Sequence, residues 1–230
     1  MFLLEGNMGS GKSTLLHLIK KHLPHIEVIQ EPVDKWHGND LLMHFYKDQQ
    51  RWAYTMETFT LLTRVKEHLK EQNKNPHKIM ERSIYSGYYC FAKNGLLQGT
   101  LSKDEWVIHN EWFEFLVTHK CTPPVGFIYL QTFPEICFER IKKRNRTGES
   151  NVPLHYLNLI HNQHEMFLLE KKEILHSLKD VPVLTLDVSE EFATNKKFLQ
   201  DILGKIEAFI LSTSTQPDFK TLEQTSLRNI

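Results

Sequence analysis

The chain has 230 residues, 40% of them hydrophobic and 24% charged, with 28 basic side chains balanced by 28 acidic ones. That length suits one α/β domain with a sizeable core and is short for two. Zero formal net charge argues against a nucleic-acid partner or an anionic membrane surface, and no apolar run reaches the length of a membrane span.

Phe2-Leu-Leu4 reads as a short strand, followed by a glycine-rich turn and by Leu15, Leu18 and Ile19 at helical spacing. Ile26–Ile29 is a second strand. A long helical region is expected from Leu41 to Gln72, with no Pro or Gly inside it. Lys78–Met80 is a third strand. Ser102-Lys-Asp-Glu105 is a capping box opening a helix to about His119, and Thr132-Phe-Pro-Glu135 is a second, after a strand over Val125–Leu130. Pro153 opens a helix to about Leu178, Val181–Leu186 is a fifth strand, and a helix over about Asn195–Leu211 closes the domain. Strands alternating with helices predict an α/β fold, a five-stranded parallel sheet flanked by helices. The polar residues 212–230 are expected to be a disordered tail.

The helix from Ser102 carries Trp106, Val107, Ile108, Trp112, Phe113, Phe115, Leu116 and Val117, on more than one face. Either it is deeply buried or it meets a partner subunit. Three cysteines without a CxxC pair are expected as free thiols in a reducing compartment. The N-terminus resembles neither a signal peptide nor an arginine-rich transit sequence. His161 and His164 lack a third ligand at metal spacing.

Gly6-Asn7-Met8-Gly9-Ser10-Gly11-Lys12-Ser13, followed by Thr14, matches G-x-x-x-x-G-K-[ST]. Its glycines let successive backbone N–H groups turn inward onto phosphate oxygens, and the following helix adds its positive end. Lys12 suits the outer phosphates, and the Ser13 hydroxyl suits Mg²⁺. The motif follows an apolar strand and precedes a helix, as its chemistry requires, so a P-loop NTPase-type fold is expected.

In parallel sheets, ligands sit beyond the carboxyl ends of the strands. Glu31 follows the second strand, next to a proline that keeps the chain extended. A carboxylate there could take the proton of an attacking hydroxyl. Glu81-Arg82 follows the third strand: Glu81 could serve Mg²⁺, and Arg82 could bridge Glu31 and a moving phosphoryl group. Arg140 to Arg146 holds five basic residues in seven, on a neutral protein a clamp over polyphosphate rather than a nucleic-acid face.

These segments resemble the deoxynucleoside kinases, the family of animal deoxycytidine and deoxyguanosine kinases and the insect multisubstrate enzyme. The likeness runs through Leu4–Ser13, Glu31–Trp36, Tyr46-Lys-Asp48 with Trp52, Met80–Tyr85, Tyr89-Cys-Phe91, Ile128–Gln131, the basic stretch, Val152–Leu157 and Leu186–Phe192, and so covers about residues 1–211. The resemblance implies an enzyme that transfers the γ-phosphoryl group of ATP or another NTP, with Mg²⁺, to the 5′-hydroxyl of a deoxynucleoside. Glu31 would be the general base, Arg82 would hold it and the transferring phosphate, and Lys12, Ser13 and Glu81 would serve phosphates and metal. Tyr46 and Glu149 would grip the 3′-hydroxyl. Trp36, Phe45, Met56 and Phe91 would enclose the base. Residues 140–150 would be an arginine-rich lid, with Arg140, Arg144 and Arg146 on the donor and Glu191 and Phe192 near its adenine. The family is homodimeric.

The chain departs from the family pattern at the base. Glu57 stands where glutamine is usual, and Gly87 stands where members carrying an arginine equivalent to Arg64 have aspartate. An ionised Glu57 can only accept a hydrogen bond. Arg64 lies two helical turns on, along the same face, and could supply a donor, or the two could mainly pair with each other. Gly87 leaves room, compatible with a purine or with broad specificity. Two other readings stay open: a nucleoside monophosphate kinase, which needs no strong base, and a binding protein that keeps the fold without turnover.

Overall fold

The computed structural model describes residues 1–31, 40–75, 77–146 and 152–214. The first strand, β1 (Phe2–Gly6), leads through the glycine-rich turn into α1 (Lys12–His22) and then β2 (Glu27–Ile29). Next come α2 (Leu41–Lys47), α3 (Gln49–Glu71) and β3 (Lys78–Glu81). A helical run follows: α4 (Ile84–Ser86), a π-helical segment (Gly87–Ala92) and α5 (Lys93–Leu97). The chain continues through α6 (Lys103–Lys120), β4 (Gly126–Gln131), α7 (Pro134–Arg144), α8 (Leu154–Leu168), α9 (His176–Lys179), β5 (Val183–Asp187) and α10 (Lys196–Ser214).

The five strands form a parallel sheet in the order β2-β3-β1-β4-β5, as expected. Register pairs Leu3 with Met80 and with Phe127 across the centre. Successive strand side chains point to opposite faces, and the core divides accordingly. Leu3, Met80, Phe127 and Tyr129 pack with residues of α3, α6 and α8. Phe2, Leu4, Ile79, Ile128 and Leu130 pack with α1 and α10. A sheet covered on both faces needs near-continuous apolar strands, and β1 is buried at every residue.

Three local expectations are corrected. The helix expected over 41–72 breaks at Asp48, whose extended backbone (φ −147°) ends α2 and whose side chain caps α3 by accepting from the Arg51 amide. An aspartate that can bond its own backbone favours a cap over a helix interior. The helix expected to run on to Leu178 stops at Leu168, and Lys171 and Glu173 take left-handed backbone conformations. The box at Thr132–Glu135 does not form: Phe133 occupies the cap without a side-chain bond, with Pro134 in the first turn. The box at Ser102–Glu105 does form, from both sides. The helical run after Ser83 has no counterpart in the sequence reading. It starts on a Ser83–Ser86 capping box, a serine pair that the usual Ser-x-x-Glu pattern misses.

Candidate active site

A cavity of about 530 Å³ opens at the carboxyl end of the sheet. Its phosphate end is the P-loop between β1 and α1. Gly6, Gly9 and Gly11 take φ of 147°, 78° and 102°, the left-handed side that side chains resist. A Cβ on Gly9 would stand 2.5 Å from the Cys137 carbonyl oxygen, so the turn lies too close to α7 for any side chain. Asn7 ties the loop to α8 by donating to the Leu157 carbonyl (2.8 Å), and its Oδ1 accepts from the Met8 amide. Ser10 is fully buried, its amide on the Asn7 carbonyl, and Thr14 lines the cavity.

Lys12 is buried, and its Nζ donates to the carbonyls of Gly6 (2.9 Å) and Asn7 (2.7 Å). Burial, helped by Arg82, lowers its ammonium to about 7 against the pull of Glu81 and Glu31. Ser13 Oγ donates to Glu81 Oε1 at 2.8 Å. Two hard oxygen donors so close together, beside the P-loop, fit Mg²⁺.

Elsewhere in the cavity, Glu31 follows β2 and meets two guanidiniums at the same oxygen. Arg64 Nη2 on α3 lies 2.6 Å from Glu31 Oε1, and Arg82 Nε lies 3.3 Å from it. Burial alone would raise this carboxyl, but Arg82 and Arg64 outweigh it and hold Glu31 below the usual carboxylate range. Arg82 sits just past β3 with φ 58°, its amide still bonded to the Leu4 carbonyl. A non-glycine residue held there costs about 1–3 kcal/mol, which the surrounding packing must offset. Its guanidinium carbon lies 4.7 Å from the centroid of the Phe91 ring, which the π-helical segment delivers. π-Helical turns recur at functional sites.

Phe45, Tyr46, Met56, Glu57, Arg64 and Phe91, residues expected around the nucleoside, all line the same cavity. Burial pushes the Glu57 carboxyl up to about 7, against Arg64 and Arg82. The acceptor-only Glu57 of the sequence reading therefore applies only above about pH 7. Below that, the protonated acid donates and accepts, as a glutamine would. The room expected at Gly87 is taken: a Cβ there would be 2.5 Å from Arg64 Nη1.

Of the basic stretch, Arg144 and Arg146 line the cavity. Arg140 instead donates to the carbonyls of Val188 (3.0 Å) and Glu190 (3.1 Å) and reaches Ser10 at 3.4 Å, joining the P-loop to the turn after β5. Phe192 is buried against Gly11, while Glu191 is exposed and accepts from the Ala193 amide. Trp36 and Glu149, and with them part of the expected lid and most of the tail, lie outside the described residues.

Three residues were not singled out from the sequence. Thr60 lines the cavity one turn beyond Glu57, a position that helical spacing could have found. Tyr156 lines it from α8, its hydroxyl pushed up by burial and by Glu57. Glu5 is fully buried in β1; burial raises its carboxyl against the nearby Ser83, Ser86 and Arg82. Only strand pairing brings Glu5 and Arg82 together, so no local signal marks it.

Residues 2–211 match the family model for deoxynucleoside kinase. The chain is 35% identical to deoxycytidine kinase 2 of Gallus gallus, across 91% of this chain and 89% of that one. It is 38% identical to a probable deoxycytidine kinase of fowlpox virus (strain NVSL), across 90% and 86%. It is 33% identical to a mitochondrial deoxyguanosine kinase of Xenopus laevis, across 90% and 88%. A phosphate loop facing a carboxylate gripped by two arginines, in a chain matched over residues 2–211, leads to one conclusion: this protein is a kinase and belongs to the deoxynucleoside kinase family.

Proposed function

We propose that the protein moves the γ-phosphoryl group of ATP, or another NTP, to the 5′-hydroxyl of a deoxynucleoside, with Glu31 as general base. The observation that carries this reading is the Glu31 carboxylate, kept ionised by Arg64 and Arg82 in the same cavity as Lys12. A hydroxyl acceptor needs its proton removed as it attacks; a phosphate acceptor does not. Glu31 takes that proton, the 5′-oxygen bonds to the γ-phosphorus, and the bond to the β–γ bridging oxygen breaks, releasing the diphosphate. Arg82 and Lys12 hold charge on the transferring group, and the P-loop amides bind the phosphates. Ser13 and Glu81 would hold Mg²⁺, which when bound neutralises the donor phosphates. Tyr46, Phe45, Met56, Phe91 and Glu57 enclose the nucleoside, and Arg144 and Arg146 the donor phosphates.

A phosphorylation panel tests this: Mg-ATP with each of the four deoxynucleosides, and in parallel with the matching monophosphates. Turnover of deoxynucleosides alone is expected. Turnover of monophosphates alone would overturn the role of Glu31, and silence from both would overturn the reading as an enzyme of this class.

The homodimer is part of the proposal. Val107, Ile108, Trp112 and Phe115 on α6 are each about half exposed, and Ile108, Trp112 and Phe115 form one helical stripe. Monomers rarely leave such a stripe to water, and a second copy covering it fits. Trp112→Glu should halve the mass seen by light scattering while leaving far-UV circular dichroism unchanged. A cytoplasmic location fits the three free cysteines, and among the described residues no helix is long and apolar enough to cross a membrane.

A further inference from the structure

Gly87 needs explaining, because its backbone does not ask for glycine. Its φ and ψ, −53° and −49°, are ordinary helical values. Glycine inside a helical run costs up to about 1 kcal/mol relative to alanine. What glycine supplies here is space, and one side chain uses it. The three atoms nearest to a Cβ built on Gly87 all belong to Arg64: Nη1 at 2.5 Å, Cζ at 3.7 Å and Cδ at 3.9 Å. The other terminal nitrogen of the same guanidinium, Nη2, is 2.6 Å from Glu31 Oε1. An arginine bonded to the carboxylate at the end of β2 thus rests in the gap left by a glycine after β3.

We propose that Gly87 is the seat of Arg64, and that Arg64, so seated, is a positioning residue that aims Glu31 rather than a reader of the base. The inference rests on Glu31 being the general base. Arg64 from α3 and Arg82 from the end of β3 both meet Oε1. That assigns the substrate proton to Oε2. The carboxylate is gripped from two elements, so its free rotation is lost before substrate arrives, which is the usual source of gain from an oriented base.

Two consequences separate this role from base reading. A residue acting through Glu31 changes turnover of every nucleoside by a similar factor. A residue reading the base changes their ranking. Removing a cation beside Glu31 also raises the pH at which the carboxylate forms, since neighbouring arginines are what hold it low. Other charged groups face Glu31. Lys12 acts on it from α1, and Glu57 on α3 lines the same cavity. Glu81, Tyr46, Tyr156, Arg144 and Arg146 share its cavity. Glu57 and Lys12 both sit near 7 and would blur the profile. The pH profiles therefore belong in a Glu57→Gln background, at saturating Mg-ATP, where donor phosphates keep Lys12 charged.

The experiment compares Gly87→Ala, Arg64→Met and the double variant with the parent enzyme, for kcat and KM on four deoxynucleosides. The alanine Cβ meets only the end of a flexible side chain, so Gly87→Ala displaces Arg64 without removing it. Both single variants should lose about 10- to 100-fold in kcat, the order expected for one charge-assisted hydrogen bond. The four nucleosides should keep their ranking, and the acid limb of kcat should move up by about one pH unit or more. The double variant should be no worse than Arg64→Met, because alanine at 87 acts only through Arg64. An additive double variant, or an altered ranking with the acid limb unmoved, would overturn the inference. Glu31→Gln runs alongside. If it keeps full turnover, the reading of Glu31 itself fails. If it is impaired while Gly87→Ala and Arg64→Met match the parent in kcat and acid limb, only the role given to Arg64 fails.

Discussion

At the phosphate end of the cavity, nine consecutive residues, Gly6 to Thr14, carry the loop, the lysine and the serine. At the proposed acceptor end, Glu31, Glu57, Arg64, Arg82 and Gly87 come from the segment after β2, α3, the end of β3 and the π-helical segment, up to 56 positions apart (87 − 31). The first end works through backbone: left-handed glycines, inward amides and a helix start. The second works through side chains that meet only once the sheet has formed. A backbone device tolerates no added atom, whereas a side-chain device can be retuned one residue at a time.

The largest effect should come at the acceptor end. Glu31→Gln removes the proposed base but keeps its shape, so kcat should fall by about 10²–10⁴ with nucleoside binding largely intact. A kcat within threefold of the parent would take Glu31 out of the role and leave the acceptor end without its central residue.

The two glycines sharpen the contrast next. Gly9→Ala drives a Cβ to 2.5 Å from the Cys137 carbonyl oxygen at φ 78°, where neither partner can turn aside. It should cost about 1–3 kcal/mol of stability and weaken ATP binding. Gly87→Ala makes an equally short contact, but with the tip of a flexible side chain that keeps Glu31 paired to Arg82 when it moves, and should cost less stability than Gly9→Ala. Equal losses in urea unfolding would erase the distinction between backbone and side-chain construction.

The smallest effect is also the most selective. Glu57 holds its proton up to about pH 7 in the folded protein, against an ordinary value of 4.5. Between those two values the folded state binds the proton that the unfolded chain has released. The sign follows: stability falls as pH rises through that window. Glu57→Gln removes this loss, so its Tm should gain on the parent from pH 5 to pH 8. Base preference should also shift across pH 6–8 in the parent and stay flat in Glu57→Gln. A parent ranking that ignores pH would mean that the proton on Glu57 does not take part in reading the base.

Much of this architecture was legible from the chain alone. Five apolar runs alternating with amphipathic stretches specify a parallel sheet, because strands buried on both faces and helices buried on one leave different periodicities. The phosphate loop was equally plain, since its chemistry resides in contiguous backbone and its residues must therefore be contiguous too. Breaks inside helices were not legible. At Asp48 a side chain competes with the helix for its own backbone, and spacing alone does not reveal which wins. The partnership at the acceptor end was hidden for a deeper reason. Helical spacing put Glu57 and Arg64 on one face and suggested that they meet. The folded chain adds that Arg64 Nη2 is on Glu31, 33 positions away, with Nη1 above Gly87. Periodicity along one element says which face a side chain shares. Only the packing of separate elements decides which distant group stands within reach of that face, and whether the position beneath it has a side chain or a gap.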